Sequence, residues 1–482
     1  MEKLTKIVAT ISDRHCEPDF IRSLHEAGMD VVRINTAHQN PEQSMQIIQH
    51  VRSVSGKIPF MIDTKGPEVR TNPSEKDIPV KQGQHIKMAG DPGKTSSESF
   101  VYVNYEGFEQ QLEPGKMVMI DDGDIALTVV EKHKDHVVCR VENGGLIKGR
   151  KSINLPGTSV DLPSLSDKDR DYIDFAIKND MDFIAHSFVR SKEDVIAIQE
   201  ILDQHDSQIK IIAKIENQQG VDNIDEILDH VYGIMIARGD LAIEVPAEKI
   251  PGLQSSMVKE CMRRKKAVII ATQMLHTMIE NPRPTRAEVS DIATAVFSGT
   301  DAVMLSGETA FGKYPLESVQ IMTKTVREAE NNKAFFIESN VMPHDNPISV
   351  FLSKTAVRSI QALDTKAIIT DTDTGKTARY LAAFRGRTPI YAQCYDERVM
   401  RELGLNYGIV ADYMDVEISK KDFIKSTLSR LINRKEIKPE DRIVVLAGNF
   451  GKKAGPSFVE ISTAESMLSD QKQGEIVNPT LK

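Results

Sequence analysis

Lys214-Ile215-Glu216 sets a cation and a carboxylate two residues apart at the end of an apolar run. Side chains alternate along a strand, so both would lie on one side of it. A lysine there can lie beside a phosphoryl group, and a glutamate can hold a hard divalent cation such as Mg²⁺. Arg238-Gly239-Asp240 repeats the theme after another apolar run. Asp240 offers a second metal ligand, Gly239 allows close backbone approach, and a turn of exposed N–H groups can grip a carboxylate. Other runs end on Asn35, Asp63, Thr64, Lys65, Thr272, Ser306 and Glu308. Inter-strand ion pairs could use the same residues structurally, but buried charges are costly without a purpose.

The elements that must position these residues are short, β-branched and almost continuously apolar. They span 6–11, 31–35, 60–64, 183–189, 210–216, 233–240, 267–273 and 302–308, with helix-length segments between most of them. Such runs read as parallel strands buried on both faces. Ser166-Asp167-Lys168-Asp169 opens one intervening helix with an N-cap and early acids. Eight strand–helix repeats predict an α/β fold, a (β/α)₈ TIM barrel whose catalytic groups come from the C-terminal strand ends.

The connection after the third run is too long for one helix. It holds alternating segments such as Met117-Val118-Met119-Ile120 and turn signals at Asp91-Pro92-Gly93, Pro114-Gly115 and Gly144-Gly145. Residues 67–157 are therefore expected to form an inserted all-β lid domain, a small β-barrel over the catalytic face. The catalytic barrel takes 1–66 and 158–340. Alternation restarts beyond it, with strands expected at 366–370, 389–392, 409–413 and 442–447, so 341–482 is expected to be a C-terminal α/β regulatory domain.

A chain of 482 residues with 40% hydrophobic and 27% charged residues is that of a globular protein of several domains. A net charge of -9 disfavours broad nucleic-acid binding. The four cysteines, Cys16, Cys139, Cys261 and Cys394, show neither metal-ligand nor redox spacing, and no run is apolar enough to span a bilayer. A reduced, cytoplasmic protein without membrane or nucleic-acid partners is expected.

Longer strings then carry a resemblance. Ile62-Asp63-Thr64-Lys65-Gly66-Pro67-Glu68-Val69-Arg70, Lys214-Ile215-Glu216-Asn217, Ile236-Ala237-Arg238-Gly239-Asp240-Leu241, Ala271-Thr272-Gln273-Met274-Leu275, Pro284-Thr285-Arg286-Ala287-Glu288-Val289-Ser290-Asp291 and Asp301-Ala302-Val303-Met304-Leu305-Ser306-Gly307-Glu308-Thr309-Ala310 stand in this order. Together they resemble the pyruvate kinase family. The resemblance implies phosphoryl transfer from phosphoenolpyruvate to ADP, giving pyruvate and ATP in glycolysis. It implies Mg²⁺ (or Mn²⁺) on Glu216 and Asp240, and K⁺ on Asn35, Asp63 and Thr64. Lys214 and Arg33 would contact the phosphoryl group. Ala237, Gly239 and Asp240 would bind the substrate carboxylate, and Thr272 would lie where the enolate is protonated. Asn35, His38 and Arg70 would line the nucleotide path. A glutamate at position 68 goes, in this family, with dependence on a monovalent cation. The family is usually a homotetramer.

The chain departs from the family pattern at Ser12-Asp13, Ala37, Ser191, Ala242 and His186. Most of these lie on the nucleotide and K⁺ side, and His186 reads better as a packed strand histidine than as a pocket residue. In the last domain, Thr372, Thr374, Gly375, Lys376 and Thr377 open a helix suited to a phosphate. The resemblance makes this, with the loop at Ala447-Gly448-Asn449-Phe450-Gly451-Lys452-Lys453, a site for a sugar-phosphate effector, and a structural helix cap is the alternative. Two other readings use the same residues: a Mg²⁺-dependent lyase or decarboxylase acting on a pyruvate enolate, and a paralogue that binds effectors without turnover.

Overall fold

In the computed structural model, which describes residues 3–158, 160–332, 346–414, 420–448 and 455–469, eight parallel strands close into a barrel. In chain order they are Lys6–Thr10, Val31–Asn35, Phe60–Asp63, Phe183–His186, Lys210–Ile215, Gly233–Ala237, Ala267–Ala271 and Ala302–Leu305. Their residues are buried almost without exception, as expected of strands covered by side chains inside and helices outside. Met61, Phe183, Ile212, Met235, Ile269 and Met304 pack inside the barrel, and a larger apolar layer joins its outer face to the helices. Reciprocal Ser166–Asp169, Thr285–Glu288 and Asn40–Gln43 bonds cap three of the surrounding helices.

Four of the strands stop two or three residues short of the expected runs, because their last residues are needed for turns. Arg238 already begins the helix Arg238–Glu244. Phe188, Thr272 and Gln273 adopt left-handed backbone at φ 56°, 67° and 55°, which no strand continues through.

The chain leaves the barrel after the third strand to build a separate sheet. Its strand order is Val69–Arg70, Ser152–Asn154, Met117–Ile120, Ile125–Lys132, Val137–Val141, His85–Gly90 and Phe100–Val103. A bridge between Thr71 and Val103 brings the two ends of that order together. One helical turn, Phe108–Gln111, interrupts the β-structure, with Phe108 in the domain's own apolar core.

The last domain is a five-stranded sheet ordered Ile409–Tyr413, Ile390–Cys394, Ala367–Thr372, Arg442–Gly448 and Pro456–Thr463. The first four strands are parallel, and the fifth runs antiparallel to its neighbour. Reading by apolar runs overlooked that fifth strand, since its residues are mostly half-buried and its apolar positions are broken up by Ser457, Glu460 and Ser462. The domain docks on the N-terminal face of the barrel, away from the charged strand ends. Arg385 pairs with Asp301 at 2.7 Å and Arg401 with Asp182 at 2.7 Å, and Gly408 N–H donates to the Leu4 carbonyl at 2.8 Å. All four cysteines are buried and free.

Candidate active site

Parallel pairing sets the barrel's strand ends side by side, with Asn35 opposite Asp63 and Asp63 opposite Ala185. The charges there form one connected chain. Arg33 donates to the Thr10 hydroxyl at 2.8 Å and to Asp63 Oδ2 at 2.7 Å. Lys214 lies 3.0 Å from Asp63 Oδ1, 3.0 Å from Glu216 Oε1, and donates to Ser187 Oγ at 2.7 Å. Glu216 Oε2 also accepts the Phe188 N–H at 2.8 Å. Arg33, Asp63, Lys214 and Glu216 are all buried.

This burial decides how the groups titrate. It would raise the Asp63 carboxyl, but Arg33 and Lys214 overturn that and hold it below the usual carboxylate range. Burial likewise opposes charge on Lys214, and Asp63 with Glu216 outweighs it, lifting the ammonium above its ordinary value. Glu216 is raised, by burial first and by the neighbouring Asp240 carboxylate in part. Asp240 is also raised, chiefly by burial, and its side chain hydrogen-bonds Glu216.

A buried carboxylate crowded by a half-buried one in this way suits a divalent cation, which would relieve both shifts. No group of three or more His, Cys, Asp or Glu side chains set to hold a metal occurs among the described residues. Glu216 and Asp240 therefore fit an ion of the Mg²⁺ kind, which takes one or two carboxylates and completes its shell with water and substrate oxygens. The monovalent set is more committed. Both Asp63 oxygens serve Arg33 and Lys214, the Thr64 carbonyl accepts Ser187 Oγ at 2.7 Å, and Asn35 Oδ1 accepts the Ala37 N–H at 3.1 Å. A K⁺ ion would have to share these oxygens.

Thr272 anchors the opposite wall. Its hydroxyl accepts the Gly239 N–H at 2.7 Å and donates to the Ala271 carbonyl at 2.7 Å. The Gly239 amide, expected to face a substrate carboxylate, is thus engaged by Thr272. Arg238 bonds the Thr272 carbonyl at 2.8 Å and pairs with Asp291 at 2.7 Å, which holds the turn. A β-branched residue in left-handed backbone is strained, and the surrounding bonds over-determine it.

Arg33, Asp63, Thr64, Lys214, Glu216, Ala237, Asp240 and Thr272 line a cavity of about 440 Å³ that also takes in Asn35, His38, Arg70 and Ser306, whereas Gly239 is not part of its wall. The inserted domain closes one side. Arg70 reaches Glu68 at 2.6 Å, and Lys151 pairs with Asp121 at 2.9 Å. Sequence reasoning missed Ser187, Lys151, Asp121 and Asp122. Ser187 had a signal, since it follows a strand end; the other three come from a domain whose placement no local pattern announces. His186 lies outside the cavity lining. It is buried, its Nδ1 is 3.3 Å from the Thr64 hydroxyl, and burial pushes its pKa down to about 4, so it is a neutral packing group.

The other predicted set lies in the last domain. Thr372, Thr374, Lys376 and Thr377 line a separate cavity of about 290 Å³ with Asn346 and Tyr395. Gly375, at φ 72°, makes the turn into the helix Lys376–Ala383 without lining that cavity. Asn449, Phe450, Gly451, Lys452 and Lys453 of the expected facing loop lie outside the described residues.

Two family models match the chain: pyruvate kinase, barrel domain, over residues 2–319, and pyruvate kinase, alpha/beta domain, over residues 351–461. A pyruvate kinase of Borreliella burgdorferi is 45% identical over 97% of this chain and 99% of its own. One from Bacillus licheniformis is 38% identical over 95% of this chain and 80% of its own. A crystal structure of a pyruvate kinase from Cryptosporidium parvum superposes with a TM-score of 0.90 at 35% identity, covering 96% of each chain.

Proposed function

The chain belongs to the pyruvate kinase family, and from that premise we propose how its residues divide the work of moving a phosphoryl group from phosphoenolpyruvate to ADP. The reaction breaks the bond between phosphorus and the enolate oxygen and forms one to a terminal oxygen of ADP. The enolate then takes a proton at carbon, so that phosphoenolpyruvate, ADP and one proton become pyruvate and ATP. Such transfers need positioning and charge neutralisation more than covalent help.

Lys214 and Arg33 contact the transferring group. The observation that carries this reading is Lys214 held between Asp63 and Glu216 in the cavity wall, its ammonium pKa raised above its ordinary value and the group already oriented. Glu216 and Asp240 hold the Mg²⁺ (or Mn²⁺), which when bound neutralises charge on the phosphoryl oxygens. Ala237, Gly239 and Asp240 form the substrate-carboxylate side. The Thr272 hydroxyl, which donates to the Ala271 carbonyl in this structure, would turn to hand a proton to the enolate, directly or through water, and regain it from solvent. Arg70, His38 and Asn35 line the nucleotide path, and Asn35, Asp63 and Thr64 share a K⁺. A sugar-phosphate effector binds at Thr372, Thr374, Gly375, Lys376 and Thr377, in a cytoplasmic homotetramer. No helix among the described residues is long and apolar enough to cross a membrane.

The test is pyruvate formation from phosphoenolpyruvate, ADP and Mg²⁺, with and without K⁺ and sugar phosphates. Turnover that needs Mg²⁺ and is lost in Lys214→Met supports the assignment. Turnover that survives that substitution would refute it.

A further inference from the structure

The far end of the barrel carries a second concentration of positive charge, which phosphoryl transfer does not use. A cavity of about 440 Å³ lies between the N-terminal ends of the fifth, sixth and seventh strands and the helix Lys376–Ala383 of the last domain. Lys210, Arg264, Lys265 and Lys266 line it from the barrel, and Lys376 and Arg379 from the helix. Asp203 is the one carboxylate-bearing residue among the described residues of its wall.

These cations are not equally committed. Arg264 is neutralised by Asp225 and Asp229 at 2.7 Å each and by Glu260. Lys210 has Glu402 at 3.7 Å. Lys266 and Arg379 hydrogen-bond neutral groups instead: Lys266 donates to the Val231 carbonyl at 2.6 Å, and Arg379 to the Thr374 carbonyl at 3.2 Å, while Asp229 and Glu402 act on them only through longer-range attraction. Burial first, and the charge of Arg379 second, hold the Lys266 ammonium below its ordinary pKa. Two cations from different domains therefore repel across the gap. A solvated basic surface would let such side chains swing apart, but Arg379 is laid over the Tyr232 ring at 5.3 Å and Lys265 over the Tyr380 ring at 4.8 Å. The charges are held in place.

We propose that this interdomain cavity binds a small phosphate monoester, its phosphoryl group between Lys266 and Arg379 and its organic part beside Tyr232 and Tyr380. A guanidinium fork with an ammonium suits three phosphoryl oxygens and a charge near -2 better than a single carboxylate. The volume is that of a small-molecule pocket. The ligand would touch both domains at once and tie the last domain to the barrel. The cavity is distinct from the one lined by Thr372 and Thr377, although Lys376 and Tyr380 border both.

The test is calorimetric titration of the full chain with inorganic phosphate and with ribose 5-phosphate, at ionic strength matched with chloride. Wild type, Lys266→Gln, Arg379→Gln and Thr377→Val are compared. Loss of one binding event, at least tenfold in affinity, in the first two substitutions but not in Thr377→Val supports the site, with unliganded turnover unchanged in Lys266→Gln. Equal binding by wild type, Lys266→Gln and Arg379→Gln overturns it. Loss of the same event in Thr377→Val overturns it too, by assigning the event to the neighbouring cavity. Should the cavity variants fail to fold, wild-type crystals soaked in tungstate decide. Anomalous density between Lys266 and Arg379 supports the site, and an empty cavity beside an occupied catalytic cleft overturns it.

Discussion

The ammonium of Lys214 lies 3.0 Å from Oε1 of Glu216, two residues further along the chain. Each group is also held by others: Lys214 by Asp63 and Ser187, Glu216 by the Phe188 N–H. Lys214→Met should therefore lower kcat by at least about 10²–10³-fold, on the order of 3–4 kcal/mol of transition-state stabilisation. The barrel should survive, because Asp63 keeps Arg33 and Glu216 keeps its backbone donor. Steady-state kinetics beside a circular-dichroism melt check both halves.

Thr272→Ala removes the acceptor of the Gly239 N–H together with the hydroxyl offered to the enolate. A loss of about 10²-fold in kcat is expected, with KM for phosphoenolpyruvate little changed. Thr272→Ser keeps the hydroxyl and should recover most of the activity. Equal defects in the two variants would mean that the methyl group and the turn matter, not the hydroxyl.

Glu68 carries the monovalent-cation prediction. It pairs with Arg70 at the rim of the catalytic cavity and brings no positive charge of its own to the site. Replacing K⁺ by tetramethylammonium should cut turnover at least about tenfold, or about 1.4 kcal/mol. Equal turnover in the two cations would contradict this reading of Glu68.

Arg385 and Asp301 are buried together where the last domain meets the barrel, and Asp301 also accepts the Tyr407 and Val268 N–H groups. Arg385→Leu leaves a buried carboxylate without its cation. A loss of about 3–5 kcal/mol is expected, read from denaturant unfolding. Turnover measured well below the midpoint should stay near wild type, since the catalytic cavity is at the other end of the barrel.

Glu402 supplies a pH dependence. Burial against the barrel pushes its carboxyl up to about 7, against the partial pull of Lys210. Between the ordinary value of 4.5 and about 7, the folded chain keeps a proton that the unfolded chain has released. Its contribution to stability is therefore full below 4.5 and falls as pH rises through that window. Glu402→Gln should be more stable than wild type at pH 8 by about 1–3 kcal/mol and no more stable at pH 4.5. Thermal melts at the two pH values test this.

The barrel was legible because parallel strands buried on both faces leave long apolar runs, and because charge at their ends stands out. That contrast led to Lys214, Glu216 and Asp240, while the role of Thr272, an uncharged strand end, came from the resemblance. The interior of the turns was less legible. Nothing in Arg238-Gly239-Asp240 shows that its glycine amide is spent on Thr272, because that bond depends on the strained backbone of a neighbouring strand end. Lys151 and Asp121 reach the cavity only through the fold of the inserted domain. The fifth strand of the last sheet pairs antiparallel at an edge, where half-buried residues give no apolar run to read.

The inserted domain joins the barrel by two neighbouring passages of chain, and its charged contributions sit just beyond them. Arg70 pairs across the sheet with Ser152, the residue after Lys151, and Ile153 pairs with Ile120, the residue before Asp121. These side chains are thus mounted on one small plate, and a rotation of that plate would carry all of them together while the barrel's own charges stay still. Nucleotide affinity would then be set as a mechanical angle, tuned by substitutions at the two passages that touch neither substrate.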